Sequence, residues 1–302
     1  MKTILVPTDF SECANNATHY ASELAVRMKA KLILFHAYHV PELVSETPVT
    51  ITSSNLQMED KYRERMELVI RDLKKKHDPG LWIDYVIKPG FAADEIPVVA
   101  KDKNAHLIVM GTHGSSGFHE IFIGSNTEKV IRNAAIPVIS IKESASALKI
   151  ATIIFATDFS EETKLVFPAV ERFAKLLHAK IKIVKVVTRS EFQTTYETEH
   201  EIGSLTSQFK KRDVSISIYY ANNKQDGIRR FATIHHGDMI AMGTHGRHGL
   251  YHLFKGSAAE DLANHSSIPV LIINFHNEPA VHQPLERRSD YPEYIFERNG
   301  WM

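Results

Sequence analysis

A single cysteine, Cys13, is all the thiol chemistry in this chain of 302 residues. It can form no internal disulfide and cannot build a cysteine zinc cluster, which fits a reducing compartment, so cytoplasm is the expectation. An excess of charge is also missing: 36 Lys and Arg balance 36 Asp and Glu. With no global basic field, a dominant role on nucleic acid or at an anionic membrane surface is disfavoured. No apolar run approaches the ~20 residues that a membrane span needs. The opening Met1-Lys2-Thr3-Ile4-Leu5-Val6-Pro7-Thr8-Asp9 reaches proline and aspartate too soon for an export signal. Neither GxxxxGK[ST] nor a GxGxxG after a first strand occurs, which leaves P-loop and Rossmann sites unsupported. Histidine is plentiful, at 17 residues, but there is no HExxH and no zinc-ligand spacing.

What the chain does have is internal repetition. Thr3-Ile4-Leu5-Val6-Pro7-Thr8-Asp9-Phe10-Ser11-Glu12 returns 149 residues later as Thr152-Ile153-Ile154-Phe155-Ala156-Thr157-Asp158-Phe159-Ser160-Glu161. Met110-Gly111-Thr112-His113-Gly114 returns 132 residues later as Met242-Gly243-Thr244-His245-Gly246, and Ile136-Pro137-Val138 as Ile268-Pro269-Val270. One unit is written twice, the second copy being 17 residues shorter in its middle. The length, about twice a ~150-residue domain, agrees.

In copy one, β-branched runs at residues 4–8, 32–36, 83–87, 107–110 and 138–141 alternate with helical patterns. Copy two repeats them at 153–157, 182–187, 215–219, 239–242 and 270–273. Such alternation predicts, in each copy, a five-stranded parallel sheet covered by helices on both faces. Ala17, Ala21, Leu24, Ala25 and Met28 mark the first helix, with Ser11 as its N-cap, and Tyr62, Met66, Val69 and Leu73 mark the second. The domains are expected at residues 1–143 and 150–275. The Ser/Thr/Pro-rich residues 41–55 read as a surface loop, and residues 142–148 as a short linker. Residues 276–302 form a polar tail whose Tyr291, Tyr294, Phe296 and Trp301 predict partial docking on the body.

The motif with most chemistry follows the fourth strand. Gly111 and Gly114 are followed, after nine residues, by Gly124-Ser125; Gly243 and Gly246 are followed at the same spacing by Gly256-Ser257. Glycines let backbone N–H groups approach an oxyanion, and a helix N-terminus adds unpaired N–H groups and the positive end of a dipole. Two such loops at carboxyl ends of strands, where open α/β sheets bind ligands, point to phosphate. Asp9, on the simplest reading, caps a turn, but its recurrence as Asp158 favours a functional role. Cys13, matched by Glu162, reads as a small surface residue.

These landmarks resemble the universal stress protein family, here in tandem. The resemblance implies a fold like that of nucleotide α-hydrolases, strand order 3-2-1-4-5, and ATP at the strand ends. It implies that Asp9 and Asp158 lie near the ribose or a magnesium ion held through the nucleotide, and that Ala37 and Val186 contact adenine through their backbones. Met110, Gly111, His113, Gly114, Gly124 and Ser125, with Asn126 and Thr127, would line the rest of site one. Met242, Gly243, His245, Gly246, Arg247, Gly256, Ser257 and Ala258 would line that of site two. Arg247 stands where copy one has Ser115, so the sites are expected to differ, with site two the tighter and more salt-sensitive.

An ATP-binding stress or regulatory protein is the first functional reading. A weak ATP hydrolase or adenylyl-transfer enzyme is the second; the first loop carries no Lys and the second carries only Lys255, so binding is better supported than turnover, and no residue is assigned a catalytic role. A binder of an apolar or lipid-like ligand in the same cleft is the third. Order 3-2-1-4-5 leaves the fifth strand of each copy as an edge too apolar to stay open. The two edges are expected to pair, giving a pseudo-twofold intramolecular dimer in a monomeric or homodimeric protein.

Overall fold

A computed structural model describes residues 2–39, 48–112, 125–142, 145, 147–160, 163–191, 214–244, 259, 262–263 and 266–274. Ten strands form one sheet. Half one contributes β1 (Thr3–Pro7), β2 (Lys31–Tyr38), β3 (Ile83–Pro89), β4 (Leu107–Gly111) and β5 (Val138–Ile141). Half two contributes β6 (Thr152–Ala156), β7 (Lys180–Val187), β8 (Val214–Tyr220), β9 (Met239–Thr244) and β10 (Val270–Asn274). The spatial order is β3-β2-β1-β4-β5-β10-β9-β6-β7-β8, which is 3-2-1-4-5 followed by its mirror. Strands within each half are parallel; at the seam β5 and β10 run antiparallel, with Ser140 opposite Val270, Ile139 opposite Leu271 and Val138 opposite Ile272. The two apolar edges cover one another, and the halves are related by a pseudo-twofold axis.

Helices cover both faces. On one lie α1 (Glu12–Met28), α2 (Pro48–Lys76) and α5 (Thr163–Leu177); on the other lie α3 (Ala92–Asp102), α4 (Ser125–Asn133) and α6 (Lys224–Ile234). Each face has a single core that crosses the seam, one running from Ile4 and Leu24 through Ile139 to Phe167 and Leu271, the other from Leu5 and Val99 through Val138 to Phe231 and Ile272. The strands alternate between these cores, which is why they read as continuous apolar runs.

Ser11 caps α1 as its sequence position predicts, its side chain accepting from the Ala14 N–H at 3.2 Å. The linker is pinned by that helix: Glu23 accepts from the Ala147 N–H at 2.7 Å, while Arg27 donates to the carbonyls of Ala147 and of Leu177 at the end of α5. One expectation fails. Residues 48–55, read as loop, are the first turns of α2; Pro48 is tolerated there because the opening N–H groups of a helix have no intrahelical acceptor. The rest of that segment and the tail lie outside the described residues.

Duplication reaches the backbone. Among the described residues, those other than glycine with positive φ fall into three equivalent pairs: Phe10 and Phe159, Lys29 and His178, Asn104 and His236. Left-handed backbone strains an L-residue, so its recurrence at equivalent positions marks turns that the fold itself requires.

Candidate functional site

Chain direction fixes where chemistry gathers, because parallel strands bring all their carboxyl ends to one side. In half one, the ends of β1, β2 and β4 and the first turn of α4 enclose a cavity of about 100 Å³. Asp9, Ala37, Met110, Gly111, Asn126 and Thr127 line it together, so six positions expected at site one meet in one place. Ala92 and Ile96 of α3 close its apolar side, a contribution that no glycine motif announces.

A more open hollow of about 710 Å³ adjoins it and shares Asp9 and Ala37. Its other walls are Phe10, His36, Tyr38, Tyr62 and Arg65 among others. His36 lies 4.8 Å from the Phe10 ring and 4.4 Å from that of Tyr62, centroid to centroid, and the Arg65 guanidinium sits 4.4 Å over Phe10. Site one therefore has a cation of its own, supplied by α2, although its glycine loop carries none. The His36 Nδ1–H donates to the Thr8 carbonyl at 2.8 Å, which leaves Nε2 as a buried acceptor with no partner among the described residues. Burial first, with the Arg65 charge adding to it, lowers the His36 pKa; the Thr8 hydrogen bond and Asp9 oppose the shift.

The aspartates do what turn aspartates do, and more. Asp9 Oδ1 accepts from the Ser11 N–H and Asp158 Oδ1 from the Ser160 N–H, each at 3.0 Å. Thr8 and Thr157 likewise accept from the N–H groups of Phe10 and Phe159, at 3.0 and 3.1 Å. Asp158 Oδ2, however, is buried without a hydrogen-bond partner among the described residues. A buried unpaired acceptor is costly, so its retention calls for an explanation beyond the turn.

The structure gives Gly111 and Thr127 packing work as well, and changes the reading of Cys13. Gly111 was expected to admit an oxyanion, but a Cβ there would lie 2.9 Å from the Cys13 carbonyl group and 3.0 Å from the Ala14 nitrogen, so close packing of α1 on β4 already demands glycine. The Thr127 hydroxyl donates to the Gly111 carbonyl at 3.0 Å, tying α4 to β4 at the cleft that Thr127 lines. Cys13 is half-buried rather than on the surface, its Sγ donating to the Ile141 carbonyl at 3.2 Å.

In half two, Asp158, Val186, Met242 and Gly243 occupy the equivalent ends of β6, β7 and β9. Val186 replaces Ala37, and its extra bulk presses on α6: a Cβ at Gly227 would lie 2.5 Å from Val186 Cγ1. His113, Gly114, Gly124, His245, Gly246, Arg247, Gly256, Ser257 and Ala258 lie outside the described residues, and Ser125 is described by its backbone alone. Among the described residues no three His, Cys, Asp or Glu side chains cluster as a metal site, and no helix is long and apolar enough to cross a membrane.

Known proteins extend the comparison. The chain is 29% identical over 157 residues to a universal stress protein of Methanocaldococcus jannaschii, an alignment covering 48% of this chain and 97% of that one. A universal stress protein of Synechocystis is 21% identical over 291 residues, covering 90% and 99% of the two chains. Among solved structures, a universal stress protein from Archaeoglobus fulgidus superposes with a TM-score of 0.69 at 19% identity, covering 90% of this chain and 98% of that one, which shows a shared fold. The universal stress protein family model matches twice, at residues 1–142 and 149–274, and the chain belongs to that family as a tandem of two such units.

Proposed function

We propose that this protein binds an adenine nucleotide, ATP, at the carboxyl ends of the strands, with one site in each half. The carrying observation is the convergence of Asp9, Ala37, Met110, Gly111 and Asn126 on one cleft beside the first turn of α4, with Arg65 across the adjoining hollow. Each feature has a use for such a ligand. Small Ala37 leaves room for a flat ring against the end of β2, and the N–H groups of a helix start suit phosphate oxygens. Arg65 adds a charge-assisted donor.

In half two the support is the orphaned Asp158 Oδ2, which a ribose hydroxyl or a hydrated magnesium ion would satisfy. Asp9 and Asp158 are the residues that would hold such an ion, and its charge would offset that of the phosphates. Nucleotide occupancy would then serve a stress or regulatory response by biasing conformation or partner choice.

Equilibrium dialysis with labelled ATP tests this. Asp9→Ala and Asp158→Ala should each weaken one class of site roughly tenfold, the scale of one charge-assisted contact. An affinity unchanged in both variants, or no ATP binding by the parent chain, would refute it. Mass spectrometry of the protein as purified checks the ligand class independently, an adenine nucleotide being the expected passenger.

A further inference from the structure

A hollow of about 890 Å³, larger than either at site one, lies at the opposite end of half one's strands. It opens between the starts of β1 and β4, the approach to β5, and the ends of α5 and β10 of half two. Its floor is apolar, with the half-buried Met28, Pro97, Ile136, Ala169 and Leu176 lying over the buried core residues Leu107, Phe173 and Leu271. Lys2, Lys101 and Arg172 stand among its lining residues, and among the described residues no carboxylate side chain does. Crowding of cations there is felt by Lys2, whose pKa is lowered by burial and then by Arg172.

Where the chain goes next supplies the occupant. Asn274, the last residue of β10, is itself part of the lining, so residues 275–302 set out from the rim of this hollow. Within them, residues 290–297 read Asp-Tyr-Pro-Glu-Tyr-Ile-Phe-Glu: three carboxylates, four large apolar side chains, and no Lys or Arg. The composition is the complement of an apolar floor ringed by cations. The 15 residues at 275–289 reach up to roughly 50 Å when extended, far enough to turn back. A tether of this length also holds the segment at an effective concentration on the order of millimolar.

We propose that residues 290–297 of this chain dock in that hollow in cis, the rings of Tyr291, Tyr294 and Phe296 on its apolar floor and Asp290, Glu293 and Glu297 towards Lys2, Lys101 and Arg172. The tail then acts as a strap across the seam between the halves, over the half-buried apolar side chains that line the hollow.

Hydrogen exchange of the full chain, read by mass spectrometry, tests this. Residues 290–297 should exchange roughly tenfold or more slowly than residues 276–289. Tyr294→Ser with Phe296→Ser, changes confined to the tail, should abolish that protection. Lys101→Glu with Arg172→Glu, both exposed positions, should do the same while the strands stay protected, and adding Glu293→Lys with Glu297→Lys should restore it. An unprotected tail overturns the proposal, as does protection indifferent to the Lys101 and Arg172 changes. Protection that rises with protein concentration would assign the hollow to a second copy, and a copurifying amphiphile seen by native mass spectrometry would assign it to a small molecule; either contradicts docking in cis.

Discussion

The two halves share a backbone and differ in the side chains that face their clefts. Phe10 and Phe159 both adopt left-handed φ, and Asp9 and Asp158 close the same turn at the same distance. Beside them, His36 becomes Lys185, Ala37 becomes Val186 and Thr127 becomes Ala259, while on the helix packed against β7 the position of Glu95 becomes Gly227. Duplication has kept what the sheet, turns and helix packing require, while the walls of the sites have moved apart. Val186 and Gly227 moved together, bulk added on β7 and removed from α6, as close packing demands.

The largest effect should come from breaking the seam that makes the halves one body. Leu271 is 1% exposed and pairs with Ile139. Leu271→Asp places an unpaired charge in the shared core and should cost about 4 kcal/mol or more, lowering the denaturation midpoint of both halves in one transition. Survival of half one's transition at its original midpoint would mean that the halves are independent.

Gly227→Ala tests the local exchange. Overpacking against Val186 costs about 1–3 kcal/mol, partly offset by the ~1 kcal/mol by which alanine favours a helix over glycine. Equilibrium denaturation should show a net loss, and in a Val186→Ala background that loss should shrink to what the remaining 2.9 Å approach to Ala221 Cβ imposes. An equal loss in both backgrounds would remove the contact from the explanation.

Arg65→Ala sharpens the contrast between the sites. It should weaken ATP at site one by roughly tenfold and flatten its salt dependence, leaving site two unchanged. Because Arg65 supplies the charge that Ser115 lacks, the two parent sites should differ less in salt dependence than their glycine loops suggest.

The smallest effect is a titration. Burial keeps the folded-state pKa of His36 below its ordinary value of 6.5, so the unfolded chain takes up the proton first. The His36 contribution is therefore present above pH 6.5 and is lost as pH falls from there through the folded-state value. Denaturation midpoints of His36→Leu should fall less steeply below pH 6.5 than those of the parent; parallel curves would exclude His36 as a source.

Much of this was legible before any coordinates. All ten strands lie where β-branched runs place them, and the seam follows from two edges too apolar to face water. What the sequence concealed has physical reasons. Residues 48–55 looked like loop because Ser, Thr and Pro are poor helix formers, yet α2 extends through them. Tyr62 was readable as a buried position, but nothing in its spacing says that this face ends at a cleft, or that Arg65 beside it reaches Phe10. Gly111 and Thr127 stand where the motif puts them and carry packing work that the motif does not announce, since it cannot distinguish a glycine needed by a ligand from one needed by the helix packed on it.

The claim beneath these comparisons is that each half holds its own nucleotide, and counting bound ATP tests it most directly. Calorimetric titration of the parent chain should give two equivalents. Gly124→Val and Gly256→Val, each adding a side chain where phosphate oxygens are proposed to sit, should each give one, with the fold retained. Two equivalents in both variants, or none in the parent, would contradict the account.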